Sequence, residues 1–334
     1  MQIQHIPDSE NLDQAYAFTR KASVETPLLE ADVLARLTGA RRVFIKAESL
    51  QRTGSFKFRG AYWRVGQLSE AEKARGVVAY SSGNFAQGLA AAARMCAVPC
   101  TIVMPEDAPA AKRQGAEALG ASVVLSRHGE KPREEVASKL AMDLSREEGK
   151  VLLHPFDDEA IVAGQAGAGL EALEQFDRLG IPVPDTVFCC VGGGGLVGGV
   201  SLAFHYHHPS TRVIAVEPDG YDGMGRSLDE GGIVRVTSAR RTICDALQAT
   251  APGAAPFAAA SKAGIGHLTV SDQSVRKAMR LAFETLKLVL EPSGAIAIAA
   301  LLDAGQSIRD KTVLCYATGG NISFEDFSRL MADN

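Results

Sequence analysis

Short apolar runs of strand length alternate with helix-length patterns nearly from one end of the chain to the other, and that alternation leaves few folds open. Runs at residues 43–45, 77–80, 100–103, 122–125, 187–191, 213–216 and 313–316 are dominated by Val, Ile, Ala, Phe and Cys, as strands buried on both faces are. Helical patterns lie between them, among others at residues 87–94, 133–148, 158–179 and 271–290. The repetition predicts an α/β fold with mainly parallel twisted sheets covered by helices. No fixed-period repeat or low-complexity tail interrupts it. Residues 231–266, rich in Ala, Gly and Pro, read as loop-heavy.

Three of these strands run into similar turns. After 77–80 come Ser81, Ser82, Gly83 and Asn84; after 187–191 come Gly192, Gly193, Gly194 and Gly195; after 313–317 come Thr318, Gly319, Gly320 and Asn321. In parallel sheets the ligand crevice lies at the carboxyl ends of strands, so the three turns are expected to converge on one ligand. The glycine run suits an anion, because bare backbone approaches a phosphate closely and the next helix presents free N–H groups. The plainer alternative is a tight turn with no ligand, which rarely needs four glycines in a row. Gly193, Gly195 and Gly198 also satisfy GxGxxG, with Glu217 at the end of the following strand. That is the pattern of an NAD-dependent dehydrogenase. It leaves the turn at Ser81, and the lysine considered next, unexplained.

Lys57 lies in Thr53-Gly54-Ser55-Phe56-Lys57-Phe58-Arg59-Gly60-Ala61, between two phenylalanines and among glycines. Judged on this window alone, it is a solvated surface charge near a helix start. Desolvated instead, its amine would lose its proton more readily and could form a Schiff base with an aldehyde.

Composition narrows the classes. A chain of 334 residues with 46% hydrophobic content is long enough for two lobes. A net charge of −4 with mixed signs gives no nucleic-acid or anionic-membrane surface. Residues 186–211 carry no Asp, Glu or Lys before Arg212, but their glycines and histidines fit a buried strand, loop and helix better than a membrane span. The N-terminus lacks a signal-peptide pattern, so a cytoplasmic protein is expected. The six cysteines show no CxxC pair and no zinc spacing with His, so they read as reduced, mostly buried thiols.

The Lys57 segment, the three turns and Glu291-Pro292-Ser293-Gly294-Ala295 together resemble the fold-type-II pyridoxal-phosphate (PLP) enzymes, in the branch of serine/threonine dehydratases and serine racemase. The pieces come in the family's order, with His154-Pro155-Phe156-Asp157-Asp158 between them. The resemblance implies a two-lobe, tryptophan synthase β-like fold. Its large PLP-binding domain would be residues 1–75 and 154–334, and its small inserted domain, carrying the asparagine loop, residues 76–153.

By the same resemblance, Lys57 would hold pyridoxal 5'-phosphate as a Schiff base and later act as base at Cα. Phe56 would pack on the cofactor and Asn84 would bond its ring oxygen. Gly192, Gly193, Gly194, Gly195 and Leu196 would bind the phosphate, and Thr318 would sit beside the ring nitrogen. Ser81, Ser82, Gly83, Asn84 and Phe85 would grip the substrate carboxylate. Phe85 stands where many relatives have His. The implied reaction is β-elimination from a hydroxy amino acid such as L-threonine or L-serine, giving a 2-oxo acid and ammonia.

Ser82 falls where racemases of the branch keep a proton donor, so a serine or other amino-acid racemase is the alternative. A 3-hydroxyaspartate dehydratase is another, since Gly164-Gln165-Ala166-Gly167 departs from the family's Gly-Gln-Gly-Thr. Relatives that bind a divalent cation use a glutamate and a nearby aspartate. Here Glu217 is kept and Gly223 aligns with the aspartate, which makes Glu217 a metal candidate in a weakened site. The family also implies a homodimer. The short stretch after the last motif leaves no room for a regulatory domain, so no control by isoleucine is expected.

Overall fold

The computed structural model describes residues 5–129, 133–237 and 241–332; residues 1–4 of the N-terminal pattern and 238–240 of the loop-heavy segment lie outside it. Among the described residues, ten strands form two sheets. They are β1 (Leu28–Glu30), β2 (Arg42–Lys46), β3 (Val77–Tyr80), β4 (Cys100–Pro105), β5 (Ser122–Ser126), β6 (Val151–Leu152), β7 (Thr186–Cys190), β8 (Arg212–Pro218), β9 (Gly266–Val270) and β10 (Thr312–Tyr316). Six strands take the order β1-β2-β10-β7-β8-β9 and four take β5-β4-β3-β6. Every pairing is parallel except β1 with β2.

The α/β reading of the sequence therefore holds, and its physical basis is visible in burial. All five residues of β7 and all five of β10 are buried, because helices cover both faces of a parallel sheet. β10 lies between β2 and β7, with Leu314 opposite Phe44 on one side and Val187 on the other. The helix Pro292–Asp303, almost wholly buried, packs against both β7 and β10.

The structure departs from the sequence reading at several places. β1, β6 and β9 were not expected; β1 and β6 have only three and two residues, and β9 is an edge strand whose exposed positions include His267 and Thr269. The segment read as loop-heavy contains the helix Ala254–Ala263, whose alanines are strong helix formers. The pattern at 271–290 ends early. Its helix covers Asp272–Leu281, continues as a π-turn over Ala282–Leu286, and stops where Lys287 adopts φ +59°.

A charged cluster lies inside this core. Lys46 and Arg59 are fully buried with Glu48 and Glu171. Lys46 Nζ is 2.7 Å from Glu171 Oε1, and Arg59 Nη2 is 2.8 Å from Glu48 Oε1 and 2.7 Å from Glu171 Oε1. Thus β2, the turn after it, the helix Lys57–Gly66 and the helix Glu159–Arg178 are tied at one point through Arg59, two residues beyond Lys57. Among the described residues, no helix is long and apolar enough to cross a membrane.

Candidate active site

Lys57 opens the helix Lys57–Gly66 directly after Phe56. Its Nζ donates to the carbonyl of Pro155 at 3.1 Å and lies 5.1 Å from the centroid of the Phe56 ring and 5.9 Å from that of Phe85. Among the described residues, no carboxylate pairs with it. Burial pushes its amine down to about 8, since a low-dielectric setting disfavours the ammonium. The surface-charge reading of the isolated window is thereby replaced by a desolvated amine.

The turn at residues 318–321 closes on this segment. The backbone N–H of Phe56 donates to the carbonyl of Thr318 at 3.3 Å, and Ser55 forms a bridge with Gly319. Thr318 is buried; its hydroxyl lies 3.5 Å from both Cys190 Sγ and the carbonyl of Ser293. Cys190 ends β7 and precedes the glycine turn, so β7 and β10, neighbours in the sheet, deliver their two turns side by side.

Close packing requires the glycine turn to be glycine. Gly194 takes φ +95° and caps the helix Gly195–His207, with no side-chain cap on that helix. A Cβ on Gly193 would overlap the ring of Phe156, and one on Gly192 would come within 3.0 Å of the Ala246 carbonyl. The first-turn N–H groups of the helix carry its positive end. Phe156 follows Pro155, so the same short loop faces both Lys57 and the glycines. His154 in that loop accepts from the N–H of Asp157 at 2.8 Å through Nδ1. Its proton therefore sits on Nε2 and is donated to Tyr80 Oη at 3.1 Å.

The third turn comes from the other sheet. β3 ends at Tyr80, and the helix Asn84–Met95 follows, capped by Gly83 with no side-chain cap. Two N–H groups of this turn are engaged internally: Ser81 donates to the Val103 carbonyl at 3.1 Å, and Gly83 to Ser81 Oγ at 3.3 Å. Asn84 Nδ2 donates to Glu291 Oε1 at 2.6 Å, and Asn84 Oδ1 accepts from Asn321 Nδ2 at 2.8 Å. Burial pushes the Glu291 carboxyl up to about 7 against the Asn84 hydrogen bond.

Phe56 and Phe85 flank the Lys57 amine, Thr318 is joined to Phe56 through the backbone, and Phe156, next to the Pro155 that accepts from Lys57, packs on Gly193 and Gly195. Asn84 reaches the same segment through Asn321 and the Thr53 carbonyl; Ser81, Ser82 and Gly83 form the turn leading into its helix, and Leu196 follows the glycine turn. Glu217 is not among them. Its carboxylate accepts from the N–H groups of Met224 and Gly225 at 2.8 and 2.9 Å, so both oxygens serve the helix Gly223–Glu230. Neither is turned to a ribose. Among the described residues, no group of three or more His, Cys, Asp or Glu is placed to hold a metal ion. Glu291, Asn321, His154 and Tyr80 were given no role from sequence. The first three lie inside or beside recognised motifs, which was the available signal.

Comparison with known proteins places this arrangement in context. Residues 20–319 match the family model described as pyridoxal-phosphate dependent enzyme. The chain is 40% identical over 307 residues to an L-threo-3-hydroxyaspartate ammonia-lyase of Pseudomonas sp, covering 92% of each chain. Its fold is similar to the crystal structure of a T.th. threonine deaminase, with a TM-score of 0.87 and 39% identity over 95% of this chain and 99% of that one. It is also similar to maize serine racemase, with a TM-score of 0.89 and 30% identity over 98% of both.

Proposed function

The chain belongs to the pyridoxal-phosphate-dependent enzyme family, and on that premise we propose that it is an ammonia-lyase that eliminates the β-hydroxyl of a small hydroxy amino acid. L-Threonine, L-serine and L-threo-3-hydroxyaspartate are the substrates to which its relatives direct attention. The carrying observation is the Lys57 amine. It is desolvated, has no carboxylate partner among the described residues, and bonds the loop that packs on the glycine turn.

The residues present fit the cofactor. The unpaired amine suits an aldehyde, and the uncapped N-terminus of the helix Gly195–His207, reached through four glycines, suits a dianionic phosphate. Pyridoxal phosphate, when bound, supplies the aldehyde that captures amines and a conjugated ring that delocalises the electrons left at Cα.

The protein does the rest. Lys57 holds the cofactor and, once released, takes the Cα proton at Nζ. The backbone of Gly192, Gly193, Gly194, Gly195 and Leu196 holds the phosphate. Phe56 would pack on the ring, Asn84 would bond its oxygen, and Thr318 would offer a hydroxyl to its nitrogen. A neutral Thr318 hydroxyl, unlike a carboxylate, would not hold a ring nitrogen protonated, which would favour prompt loss of the β-hydroxyl. The turn from Ser81 to Phe85 grips the substrate carboxylate. The N–H groups of Ser82, Asn84 and Phe85 serve here, since those of Ser81 and Gly83 are engaged. The Cα proton and the Cβ hydroxyl are lost together as water, and the enamine that is released tautomerises to an imine, which water hydrolyses to a 2-oxo acid and ammonia.

A second reading rests on Ser82, which lies in that turn and could return a proton to Cα, making the protein a racemase as well. The two lobes, residues 76–153 and the remainder, would close over the substrate and exclude water, and two copies would pair as a homodimer. The test is to incubate the holoenzyme with both enantiomers of serine, threonine and threo-3-hydroxyaspartate, following 2-oxo acid, ammonia and enantiomer exchange. Oxo-acid release from an L-hydroxy amino acid is expected. Its absence from all of them overturns the lyase, and exchange without release favours the racemase.

A further inference from the structure

We propose that Asn321 and Glu291, anchored by the carbonyl of Thr53, form a relay that fixes the amide of Asn84 and presents its nitrogen to the cofactor ring, which makes both of them positioning residues. The inference rests on the cofactor roles proposed above and on no choice of substrate.

The direction of every bond in the chain follows from its first member. A backbone carbonyl can only accept, so the side-chain atom of Asn321 that lies 2.8 Å from the Thr53 carbonyl is the amide nitrogen. That same nitrogen lies 2.8 Å from the side chain of Asn84 and uses its second proton there. The atom of Asn84 that meets it must therefore be Oδ1. Its NH2 group is thereby turned the other way, where Glu291 Oε1 accepts one proton at 2.6 Å. One N–H of Asn84 is left to face the cofactor. Donors and acceptors alternate without conflict from Thr53 to Glu291, so the orientation is fixed from both ends.

The backbone is shaped to hold the outer members. A Cβ on Gly54 would overlap Asn321 Oδ1, and a Cβ on Gly319 would overlap Glu291 Oε1. Gly54 and Thr53 both take left-handed backbone conformations, with φ +74° and +62°. For Thr53 this is uncommon, and it aims the carbonyl that starts the relay. Glu291 is only 7% exposed and makes no ion pair among the described residues, so the Asn84 N–H is the hydrogen-bond donor to its side chain, with the Lys112 charge acting from further off.

The test uses cofactor affinity and the visible spectrum of bound pyridoxal phosphate, together with melting temperature. Asn321→Asp can only accept. It opposes the Thr53 carbonyl and draws the Asn84 nitrogen towards itself, turning oxygen to the ring. Cofactor affinity should fall roughly tenfold, the loss of one hydrogen bond to a charged or polarised group, and the visible maximum should move. Asn321→Ala frees the amide without reversing it and should do less. Glu291→Gln still offers an oxygen to Asn84 and should stay closest to the wild type. Wild-type affinity and spectrum in Asn321→Asp overturn the relay, as does a lowered melting temperature with the spectrum unmoved. Should Asn321→Asp fail to fold, Asn321→Ala and Glu291→Leu carry the test, and an unshifted spectrum in both overturns it. A wild-type protein that gives no visible band with the cofactor overturns the proposed function along with the relay, so the two failures are distinguishable.

Discussion

Phe56 donates its backbone N–H to the carbonyl of Thr318 at 3.3 Å, so the residue before the reactive lysine and the residue after the central strand are held by one hydrogen bond. Lys57 is thereby positioned from the backbone, independently of its own side-chain contacts. Its amine keeps the freedom to bond and release.

Removal of the cofactor should expose the acidity of Lys57. With the amine at about 8, capture of added pyridoxal phosphate should quicken ~tenfold per pH unit below that value and level off above it, because only the neutral amine attacks an aldehyde. Stopped-flow absorbance measures this. A rate still climbing near the ordinary lysine value of about 10.4 would mark an unperturbed side chain. Lys57→Ala should give no borohydride-stable cofactor adduct.

Gly193→Ala should weaken cofactor binding far more than it weakens the fold. Its methyl group would overlap the Phe156 ring, pushing apart the turn and the loop that contacts Lys57. A cost of ~1–3 kcal/mol is typical of overpacking, which corresponds to a ~5- to 150-fold rise in cofactor Kd if it falls wholly on binding. Equilibrium dialysis checks it, with the melting temperature of the cofactor-free protein as the control.

Arg59→Met should be costly although no substrate touches it. Glu48 and Glu171 would lose their shared guanidinium inside the core, and breaking a buried pair from one side costs ~3–5 kcal/mol. Urea unfolding should show a lower midpoint with the slope unchanged. A loss under about 1 kcal/mol would mean that water reaches the cluster.

Glu217 gives a pH signature. Burial outweighs its two backbone donors and pushes the carboxyl up to about 7 from 4.5. The folded state then keeps a proton that the unfolded chain has lost, so stability from this group falls as pH rises between those values and is level outside them. Glu217→Gln cannot titrate. Its melting temperature should improve relative to the wild type on going from pH 5 to pH 8, while Glu291, common to both proteins, cancels. Equal offsets at the two pH values would show that Glu217 stays ionised.

The strands of the two sheet interiors were legible because β7, β8 and β10 in one sheet and β3 and β4 in the other carry continuous apolar runs. The short β1 and β6 carry too few residues for any periodicity, and the helix at 254–263 was hidden among glycines and prolines. In the candidate site, the turns were readable because each combines unusual residues with a strand end, and Lys57 because it stands between two phenylalanines at a helix start. The buried Lys46, Glu48, Arg59 and Glu171 were not, since isolated charges look like surface until their partners, up to 125 residues apart, are brought together. Asn321 and Glu291 stood inside recognised motifs, but their purpose lies in hydrogen-bond direction, which no spacing records.

β10 fills the middle of the larger sheet although it comes from residues 312–316. During synthesis, β2 and β7 have no strand to join them until β10, the last strand in chain order, has emerged, whereas β3 to β6 come from one stretch and can pair early. Until then the Lys57 segment has no Thr318 carbonyl to meet and the glycine turn no neighbour. The contact that joins the Lys57 segment to Thr318 is thus among the last of the larger sheet to become available.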